Sequence, residues 1–334
     1  MLLISFGTRP EYLKLKLVMD NFDNNNHSYC VLFTGQHSDL LPSEALSYVN
    51  MHLTIKDNPN RLDSIVASMM NNDEIFANID YVLVQGDTTS TFAIALAAFH
   101  RKIKVIHLEA GLRTYDFENP YPEEMNRQLV SRIADIHLCP TELDKQHLLN
   151  EQVRGKIHVV GNTVLDSLLY LTPSYNNEVL ITMHRRENHQ IIPEWFDEFE
   201  SLADANPDLK FTLLSHPNPN IQSHLHRLKM VEVIPPLSHK ELIEKLKTCR
   251  FIITDSGGLQ EESCFLNKKS IVCREKTERQ AGVGIWSTLC PKPGDLKSIF
   301  NKIKIDYKPQ SALVCPYGDG KSSQKIYNIL KDVL

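Results

Sequence analysis

Short apolar runs alternate along the chain with longer stretches in which apolar residues recur at helical spacing. Most of these runs show no alternation of apolar and polar residues, which predicts strands buried on both faces. Such strands, separated by helices, are typical of parallel sheets with helices packed on both sides. The predicted strands are residues 2–6, 81–84, 105–108, 157–160, 179–183, 211–214, 251–254 and 270–273.

The succession of strands and helices is interrupted near the middle of the chain. After Gly161-Asn162-Thr163 a helical stretch leads into a polar segment, and the strands resume at Val179. A chain of 334 residues is also long for a single hydrophobic core. We therefore predict two α/β domains, each a doubly wound parallel sheet, over residues 1–165 and 166–317. A last helix within residues 318–334 is expected to pack back on the first domain.

The composition is that of a globular protein, with 42% hydrophobic and 23% charged residues. A net charge of -5 with scattered lysines and arginines argues against nucleic acid as a partner. No apolar run approaches the roughly 18 residues that a membrane span needs, and the first residues predict a strand instead of a signal peptide. We therefore expect a cytoplasmic protein without a membrane partner. Seven cysteines without a Cys-x-x-Cys pair indicate reduced thiols.

Polar and charged residues directly follow most of the predicted strands. A ligand of an open parallel sheet lies beyond the carboxyl ends of the strands, so these residues are candidates for a site. The segments are Gly7-Thr8-Arg9-Pro10-Glu11 with Lys14 in the following helix, Gly86-Asp87-Thr88-Thr89, Glu109-Ala110-Gly111-Leu112-Arg113, His184-Arg185-Arg186-Glu187, His216-Pro217 and Asp255-Ser256-Gly257-Gly258.

The segment 255–262 has the pattern of an anion site. The Gly257-Gly258 pair lets the backbone approach a ligand, and a helix predicted to begin near Leu259 directs free N-H groups and its positive dipole end outward. A diphosphate fits this arrangement, with Glu262 placed to accept hydrogen bonds from ribose hydroxyls. Arg9 has the fork geometry that suits phosphate oxygens. Taken alone, the segment is explained equally well by an ordinary helix cap.

Three carboxylates and a histidine form a second candidate group: Asp87, Glu109, Glu123 and His184. A carboxylate at a strand end with little access to solvent can accept or deliver a proton near neutrality, and histidine already titrates there. Each residue alone also has a structural explanation, such as a helix cap or an acid in a first helical turn. Their joint occurrence at strand ends favours an acid-base site.

Several common functional patterns are absent from the sequence. It has neither a Walker lysine motif nor Gly-x-Gly-x-x-Gly after the first strand, which argues against an ATPase and a dehydrogenase. It also lacks the Gly-x-Ser-x-Gly motif of serine hydrolases. The fourteen histidines show no metal-ligand spacing, so we expect no metal.

Taken together, these motifs resemble those of the non-hydrolysing UDP-N-acetylglucosamine 2-epimerases, in order and over nearly the whole chain. The matching motifs are Phe6-Gly7-Thr8-Arg9-Pro10-Glu11, Gly86-Asp87-Thr88, His107-Leu108-Glu109-Ala110-Gly111-Leu112-Arg113-Thr114, Pro122-Glu123-Glu124-Met125-Asn126-Arg127, Gly161-Asn162-Thr163, His184-Arg185-Arg186-Glu187, Asp255-Ser256-Gly257-Gly258-Leu259-Gln260-Glu261-Glu262, Thr277-Glu278-Arg279 and Pro316-Tyr317-Gly318-Asp319-Gly320.

The resemblance implies a fold similar to that of the two-domain GT-B glycosyltransferases, with the active site in the interdomain cleft. It implies a reaction without a cofactor that interconverts UDP-N-acetylglucosamine and UDP-N-acetylmannosamine. UDP is eliminated to leave a 2-acetamidoglucal, and it then returns while a proton adds to the other face of C2. The resemblance also suggests a homodimer.

Single residues acquire roles from the same resemblance. The implied catalytic residues are Asp87, Glu109, Glu123, His184 and Lys14, and which of them moves the C2 proton is left open. In the substrate-binding set, the arginines neutralise the diphosphate, the serine and glycines cradle it, the glutamate holds ribose and the leucines lie at uracil. The members of that set are Arg9, His216, Leu237, Leu242, Ser256, Gly257, Gly258, Glu262 and Arg279.

One segment departs from the family pattern. The family continues Thr-Glu-Arg with Pro-Glu, whereas Gln280-Ala281-Gly282 follows Arg279 in this chain. The substrate is therefore left open between UDP-N-acetylglucosamine and a UDP-linked 6-deoxy amino sugar or diacetamido uronate. A hydrolysing 2-epimerase, a GT-B glycosyltransferase and a UDP-sugar-binding regulatory protein are further alternatives.

Overall fold

The computed structural model describes residues 1–36, 43–55, 60–306 and 314–334. Its contacts divide the chain into two compact units. The first comprises Met1–Leu169 together with Gly318–Leu334, and the second comprises Tyr170–Tyr317. Each unit is built on one sheet whose strands are all parallel.

The sheet of the first unit has seven strands in the order β3-β2-β1-β4-β5-β6-β7. The chain runs outward from β1 to one edge and then outward from β4 to the other edge. The neighbours β1 and β4 therefore form a switch point, where ligands of such sheets bind. The strands are β1 Leu2–Phe6, β2 Tyr29–Phe33, β3 Met51–His52, β4 Tyr81–Gln85, β5 Lys104–Leu108, β6 Ile136–Cys139 and β7 Lys156–Val159.

The second unit repeats this plan with six strands in the order β10-β9-β8-β11-β12-β13. Its switch point lies between β8 and β11, which pair in register along four residues of each strand. The strands are β8 Glu178–Thr182, β9 Lys210–Leu214, β10 Glu232–Ile234, β11 Phe251–Thr254, β12 Ser270–Val272 and β13 Ser287–Leu289.

Helices connect the strands in both units. The α-helices are α1 Arg9–Asn24, α2 Ser43–Tyr48, α3 Arg61–Met70, α4 Thr89–His100, α5 Glu123–Ile133, α6 Glu142–Asn150, α7 Ile192–Ala205, α8 Pro219–Gln222, α9 His239–Thr248, α10 Gly257–Phe265, α11 Leu296–Asp306 and α12 Ser322–Leu330. Short 3-10 turns span Glu74–Phe76, Thr163–Leu168, Arg186–Ile191, Leu225–Arg227, Gln280–Gly282 and Pro293–Asp295. No helix among the described residues is long and apolar enough to cross a membrane.

The central strands β1, β8 and β11 are buried at every residue, in keeping with the predicted doubly wound class, which is confirmed. In β1, Ile4 belongs to a core formed with α1, while Leu3 belongs to a core formed with α3 and α4. Because successive residues enter two different cores, four of the five residues of β1 are apolar, and the exception, Ser5, is buried as well. In the second unit, Phe251 of β11 packs near Phe300 of α11.

The last helix packs in the first unit. Ile326 and Leu330 of α12 lie in the same core as Phe22 of α1. At its start, the Asp166 carboxylate accepts hydrogen bonds from the backbone N-H groups of Ser322 and Ser323, at 2.9 and 2.7 Å. A carboxylate at a helix N-terminus satisfies free N-H groups and complements the helix dipole. Asp166 thereby ties α12 to the turn that follows β7.

Gly111 shows how tightly the turn after β5 packs. Its φ is +91°, and an added Cβ would lie 2.3 Å from the backbone oxygen of Asp144 in α6. Both the left-handed backbone and the lack of space require glycine. The turn that carries Glu109 is therefore locked against α6.

Gly111→Ala is expected to destabilise the protein by roughly 2 kcal/mol or more, because it combines an unfavourable φ with a backbone clash. The midpoint of urea unfolding measures the effect. Gly294→Ala is the matched control, since an added Cβ at Gly294 meets no described atom within 4 Å and its φ is not in the left-handed region. An unchanged midpoint for the Gly111 variant would contradict this account of the turn.

Candidate functional site

Most of the candidate side chains lie at or near the carboxyl ends of strands, whereas Glu123 is the first residue of α5. The first unit contributes Arg9, Lys14, Asp87, Glu109 and Glu123. The second contributes His184, His216, Leu237, Leu242, Ser256, Gly257, Gly258, Glu262 and Arg279.

Glu109 is the most enclosed of the candidate acids in the first unit, with 6% of its surface exposed. Its Oε2 accepts hydrogen bonds from Lys14 Nζ at 2.5 Å and from Gln85 Nε2. Its Oε1 accepts from Asn162 Nδ2 at 3.2 Å. Donors from three separate parts of the first unit thus converge on the carboxylate that follows β5, because Lys14 lies in α1, Gln85 ends β4 and Asn162 follows β7.

The backbone of Glu109 is left-handed, with φ at +65°. This conformation is unfavourable for a residue with a side chain and tends to persist at functional sites, where the surroundings enforce it. The neighbouring hydrogen bonds supply that enforcement: Ala110 N donates to Leu138 O, and Gly86 N donates to Leu108 O. The turn presents the carboxylate toward the donors.

Asp87 is held by a buried arginine that the sequence reading did not single out. Arg127 donates from Nε and Nη2 to Asp87 Oδ2, at 2.9 and 2.6 Å, and from Nη1 to Glu124 at 2.9 Å. Asn126 Nδ2 donates to the backbone oxygen of Asp87 at 2.9 Å. These contacts attach the first turn of α5, which begins at Glu123, to the turn that carries Asp87.

Glu11 has a structural role in the same region. Its carboxylate accepts from the N-H groups of Gly7 and Thr8, both at 2.7 Å, and from Thr88 Oγ1 at 2.7 Å. Burial raises the pKa of Glu11, and these hydrogen bonds oppose that shift. Glu11 therefore joins the start of α1, where Arg9 lies, to the turn after β4.

In the second unit, Asp255 organises the loop that carries His184. Asp255 is fully buried, and its carboxylate accepts from the N-H groups of His184 and Arg185, at 2.9 and 2.8 Å, and from Asn188 Nδ2 at 3.1 Å. His184 Nδ1 lies 3.2 Å from Asp255 Oδ1. A carboxylate beside Nδ1 orients the imidazole and leaves Nε2 for other partners.

His216 stacks on His184. Their ring centroids are 5.8 Å apart and the ring planes differ by 25°. Burial lowers the pKa of His216, and the neighbouring His184 lowers it further. The structure therefore brings these two predicted residues together.

The predicted anion site begins a helix, as expected, although two residues earlier than predicted. Ser256 is the N-cap of α10, and its Oγ accepts from Leu259 N at 3.5 Å. At Gly257 an added Cβ would lie 2.8 Å from Glu278 Oε1, so this position has no room for a side chain. At Gly258 it would meet no described atom within 4 Å. Gly258 is thus the position at which a ligand can approach the backbone.

Arg279 takes part in a buried ion-pair network. Its guanidinium pairs with Glu278 and with Glu261 at 3.1 Å, and both glutamates are fully buried. Arg274 joins the network through Glu278 at 2.9 Å. Two acids next to one arginine balance its charge, so Arg279 supports the start of α10 as well as being a candidate for phosphate contact.

Tyr317 forms two hydrogen bonds at Gln280-Ala281-Gly282, the segment that departs from the family pattern. The Tyr317 hydroxyl donates to the backbone oxygen of Arg279 at 2.7 Å and accepts from Gly282 N at 3.0 Å. An added Cβ at Gly282 would lie 2.7 Å from that hydroxyl. Gly282 therefore allows the tyrosine to close this turn.

Glu262 is paired with a histidine that the sequence reading missed. His239 Nε2 lies 2.8 Å from Glu262 Oε1, and 5% of the Glu262 side chain is exposed. His239 begins α9, directly after the segment that contains Leu237, and Leu242 lies one turn further along. Leu237 and Leu242 are both half-buried.

Among the described residues, no group of three or more His, Cys, Asp or Glu side chains could hold a metal ion.

Comparison with known proteins identifies the family. The model of UDP-N-acetylglucosamine 2-epimerase matches residues 20–331. The chain belongs to the UDP-N-acetylglucosamine 2-epimerase family. Members of this family are enzymes of the isomerase class, so the predicted family and enzyme class are confirmed.

Individual relatives align over almost the whole chain. The UDP-N-acetylglucosamine 2-epimerase of Campylobacter jejuni is 35% identical over 377 residues, which cover 98% of this chain and 97% of that protein. The Neisseria meningitidis epimerase, solved bound to UDP-GlcNAc, has a TM-score of 0.89 at 32% identity and 99% coverage of both chains. The Methanocaldococcus jannaschii epimerase, solved with UDP-GlcNAc and UDP, has a TM-score of 0.80 at 28% identity and 99% coverage of both. These matches confirm the GT-B-like fold class.

For an epimerase with this site, Asp255→Asn is expected to lower the turnover rate on the order of 100-fold. An amide at this position must turn an N-H toward donors that now point at the carboxylate, and it removes the charge beside His184. Initial rates of 2-epimerisation measure the loss. Asp197→Asn is the control, because Asp197 is exposed and contacts Arg227 at 2.8 Å. Equal rates for wild type and the Asp255 variant would refute the role given to Asp255.

Proposed function

We propose that the protein interconverts UDP-N-acetylglucosamine and UDP-N-acetylmannosamine without releasing the free sugar. UDP leaves by elimination to a 2-acetamidoglucal and adds back after a proton is delivered to the opposite face of C2. The observation that supports this most directly is the buried Glu109 carboxylate, which accepts from Lys14 and lies 3.7 Å from the Cβ position of Gly86, the residue before Asp87. The names of the relatives and the UDP-GlcNAc bound to the Neisseria meningitidis structure agree with the proposal.

The chemistry explains why several carboxylates are needed. The C2 proton of the sugar is not acidic, so cleavage of the C1-O bond must run ahead of proton removal. Positive charge then develops at C1 while negative charge develops on the diphosphate. Preorganised carboxylates stabilise the first charge, and cationic side chains and helix N-H groups stabilise the second. Asp87, Glu109 and Glu123 supply the carboxylates in this proposal, with Lys14 beside Glu109 and Arg127 beside Asp87.

The second unit serves the UDP moiety in this proposal. The start of α10 at Ser256 and Gly258 receives the diphosphate, assisted by Arg279. Glu262 accepts hydrogen bonds from the ribose hydroxyls. The remaining members line the uracil and the sugar: Leu237, Leu242, His216 and His184.

The alternatives differ in what happens after UDP leaves. In a hydrolysing 2-epimerase, water adds to the glycal and free N-acetylmannosamine appears. A glycosyltransferase of the same fold needs an acceptor for turnover. A UDP-sugar-binding regulatory protein shows no turnover. The changed segment Gln280-Ala281-Gly282 makes the related UDP-amino sugars a further set of substrates to compare.

Incubation of the protein with UDP-N-acetylglucosamine alone is expected to yield UDP-N-acetylmannosamine and no free sugar, as separated by anion-exchange chromatography. Glu109→Gln and Glu123→Gln are expected to lower the rate by roughly 100-fold or more, because each removes an ionisable group while conserving shape. Binding of UDP should be retained in both variants.

Glu118→Gln provides the control, because Glu118 is exposed and lies just before α5, the helix that begins at Glu123. Its rate should equal that of the wild type. If free N-acetylmannosamine is the main product, the proposal is wrong and the protein is a hydrolysing 2-epimerase. Conversion of a different UDP-amino sugar alone would retain the mechanism and change the substrate.

A further inference from the structure

Two neutral amide side chains lie against the carboxylate that the proposed reaction depends on. Gln85 and Asn162 donate to different oxygens of Glu109, and Lys14 supplies the third donor. We propose that Gln85 and Asn162 are positioning residues, which hold Glu109 ionised and aimed at the sugar without adding positive charge. The inference rests on the proposed epimerase function and deepens it.

The orientation of the Asn162 amide follows from its second contact. Asn162 Oδ1 accepts from Val164 N at 3.2 Å, at the start of the 3-10 turn Thr163–Leu168. The opposite end of the amide must then be Nδ2, which lies 3.2 Å from Glu109 Oε1. Because only 3% of Asn162 is exposed, solvent cannot easily replace this contact. Asn162 is thus a donor whose direction is set by the backbone.

Gln85 donates to the other oxygen of the Glu109 carboxylate. It is the last residue of β4 and is 3% exposed. Its backbone oxygen accepts from Thr91 Oγ1 at 2.7 Å, which attaches the end of the strand to the first turn of α4. The side chain then points its Nε2 at Glu109 Oε2, the oxygen that Lys14 also contacts. An amide turned the other way would place two oxygen acceptors against each other.

Neutral donors suit this position better than further cations. Hydrogen bonds to a carboxylate favour its charged form, as a nearby positive charge does. A second lysine or arginine would, however, cancel the negative charge that the developing positive charge at C1 requires. Two amides stabilise the charged form of the carboxylate and leave the net charge of the Glu109-Lys14 pair unchanged. The left-handed backbone of Glu109 is consistent with a side chain held in one direction.

A plain structural role for Asn162 can be separated from the proposed role by one substitution. Asn162→Asp keeps an oxygen that accepts from Val164 N and therefore keeps the cap of the 3-10 turn. It removes the N-H that faces Glu109 and places a second carboxyl there. Asn60→Asp is the matched control, since Asn60 Oδ1 accepts from Leu62 N at 3.1 Å at the start of α3.

The experiment measures kcat and KM for UDP-N-acetylglucosamine between pH 5 and 9, with urea midpoints as a check on folding. Asn162→Asp and Gln85→Met are expected to lower kcat by roughly 10- to 100-fold, with KM changed by about threefold or less. The acidic limb of the kcat profile should move upward by about one pH unit in both variants, because the charged form of Glu109 loses a donor. Asn60→Asp should match the wild type.

A second readout does not depend on catalysis. The carboxyl carbons of glutamate are labelled with ¹³C, and the signal lost in Glu109→Gln is followed through a pH titration. Its midpoint should rise in Asn162→Asp and in Gln85→Met relative to the wild type. If kcat, its acidic limb and this midpoint are all unchanged, the positioning role is overturned. If the wild type shows no epimerisation while the titration midpoint of Glu109 still rises in both variants, the proposed function fails. The positioning of the Glu109 carboxylate by Asn162 and Gln85 then stands.

Discussion

Buried carboxylates at the ends of parallel strands must be given hydrogen-bond donors, and this requirement shapes the candidate site in both units. An ionised carboxylate out of water is costly unless charges or N-H groups satisfy it. Glu109 and Asp255 meet the requirement in different ways. Glu109 accepts from the side chains of α1, of β4 and of the turn after β7, whereas Asp255 uses mainly backbone N-H groups of the loop after β8. The first arrangement positions an acid, and the second positions His184.

Within each sheet, the same requirement connects the two loops that meet at the switch point. In the first unit, Glu11 after β1 accepts from Thr88 after β4. In the second unit, Asp255 after β11 accepts from His184 after β8. Each bond joins the turns that follow two adjacent strands at the point where the strand order reverses, which is where ligands bind to such sheets. The fold therefore brings the loops of adjacent strands next to each other at a ligand-binding edge. The buried acids hold these loops rigidly, as catalysis requires.

The centres of the sheets are predictable from the sequence because their strands are buried on both faces. The predicted runs 2–6 and 251–254 coincide with β1 and β11. The edge strands β3, β10 and β13 have no predicted run, since β3 has two residues and β10 is largely exposed, whereas the edge strand β7 matches the predicted run 157–160. The interior strands β2 and β6 were also missed. The acids at strand ends were also predictable by position. Their partners were not: Asn162 reaches Glu109 across 53 positions, and no local pattern encodes that approach.

The proposed mechanism requires that the C2 proton exchanges while UDP-sugar is turned over without an acceptor. Proton NMR in deuterated buffer tests it directly, with UDP-N-acetylglucosamine compared with other UDP-amino sugars. Under the proposed mechanism, deuterium from solvent replaces the C2 proton in both UDP-N-acetylglucosamine and UDP-N-acetylmannosamine as they interconvert. Conversion that retains the C2 proton, or the absence of exchange with every UDP-amino sugar, would contradict it.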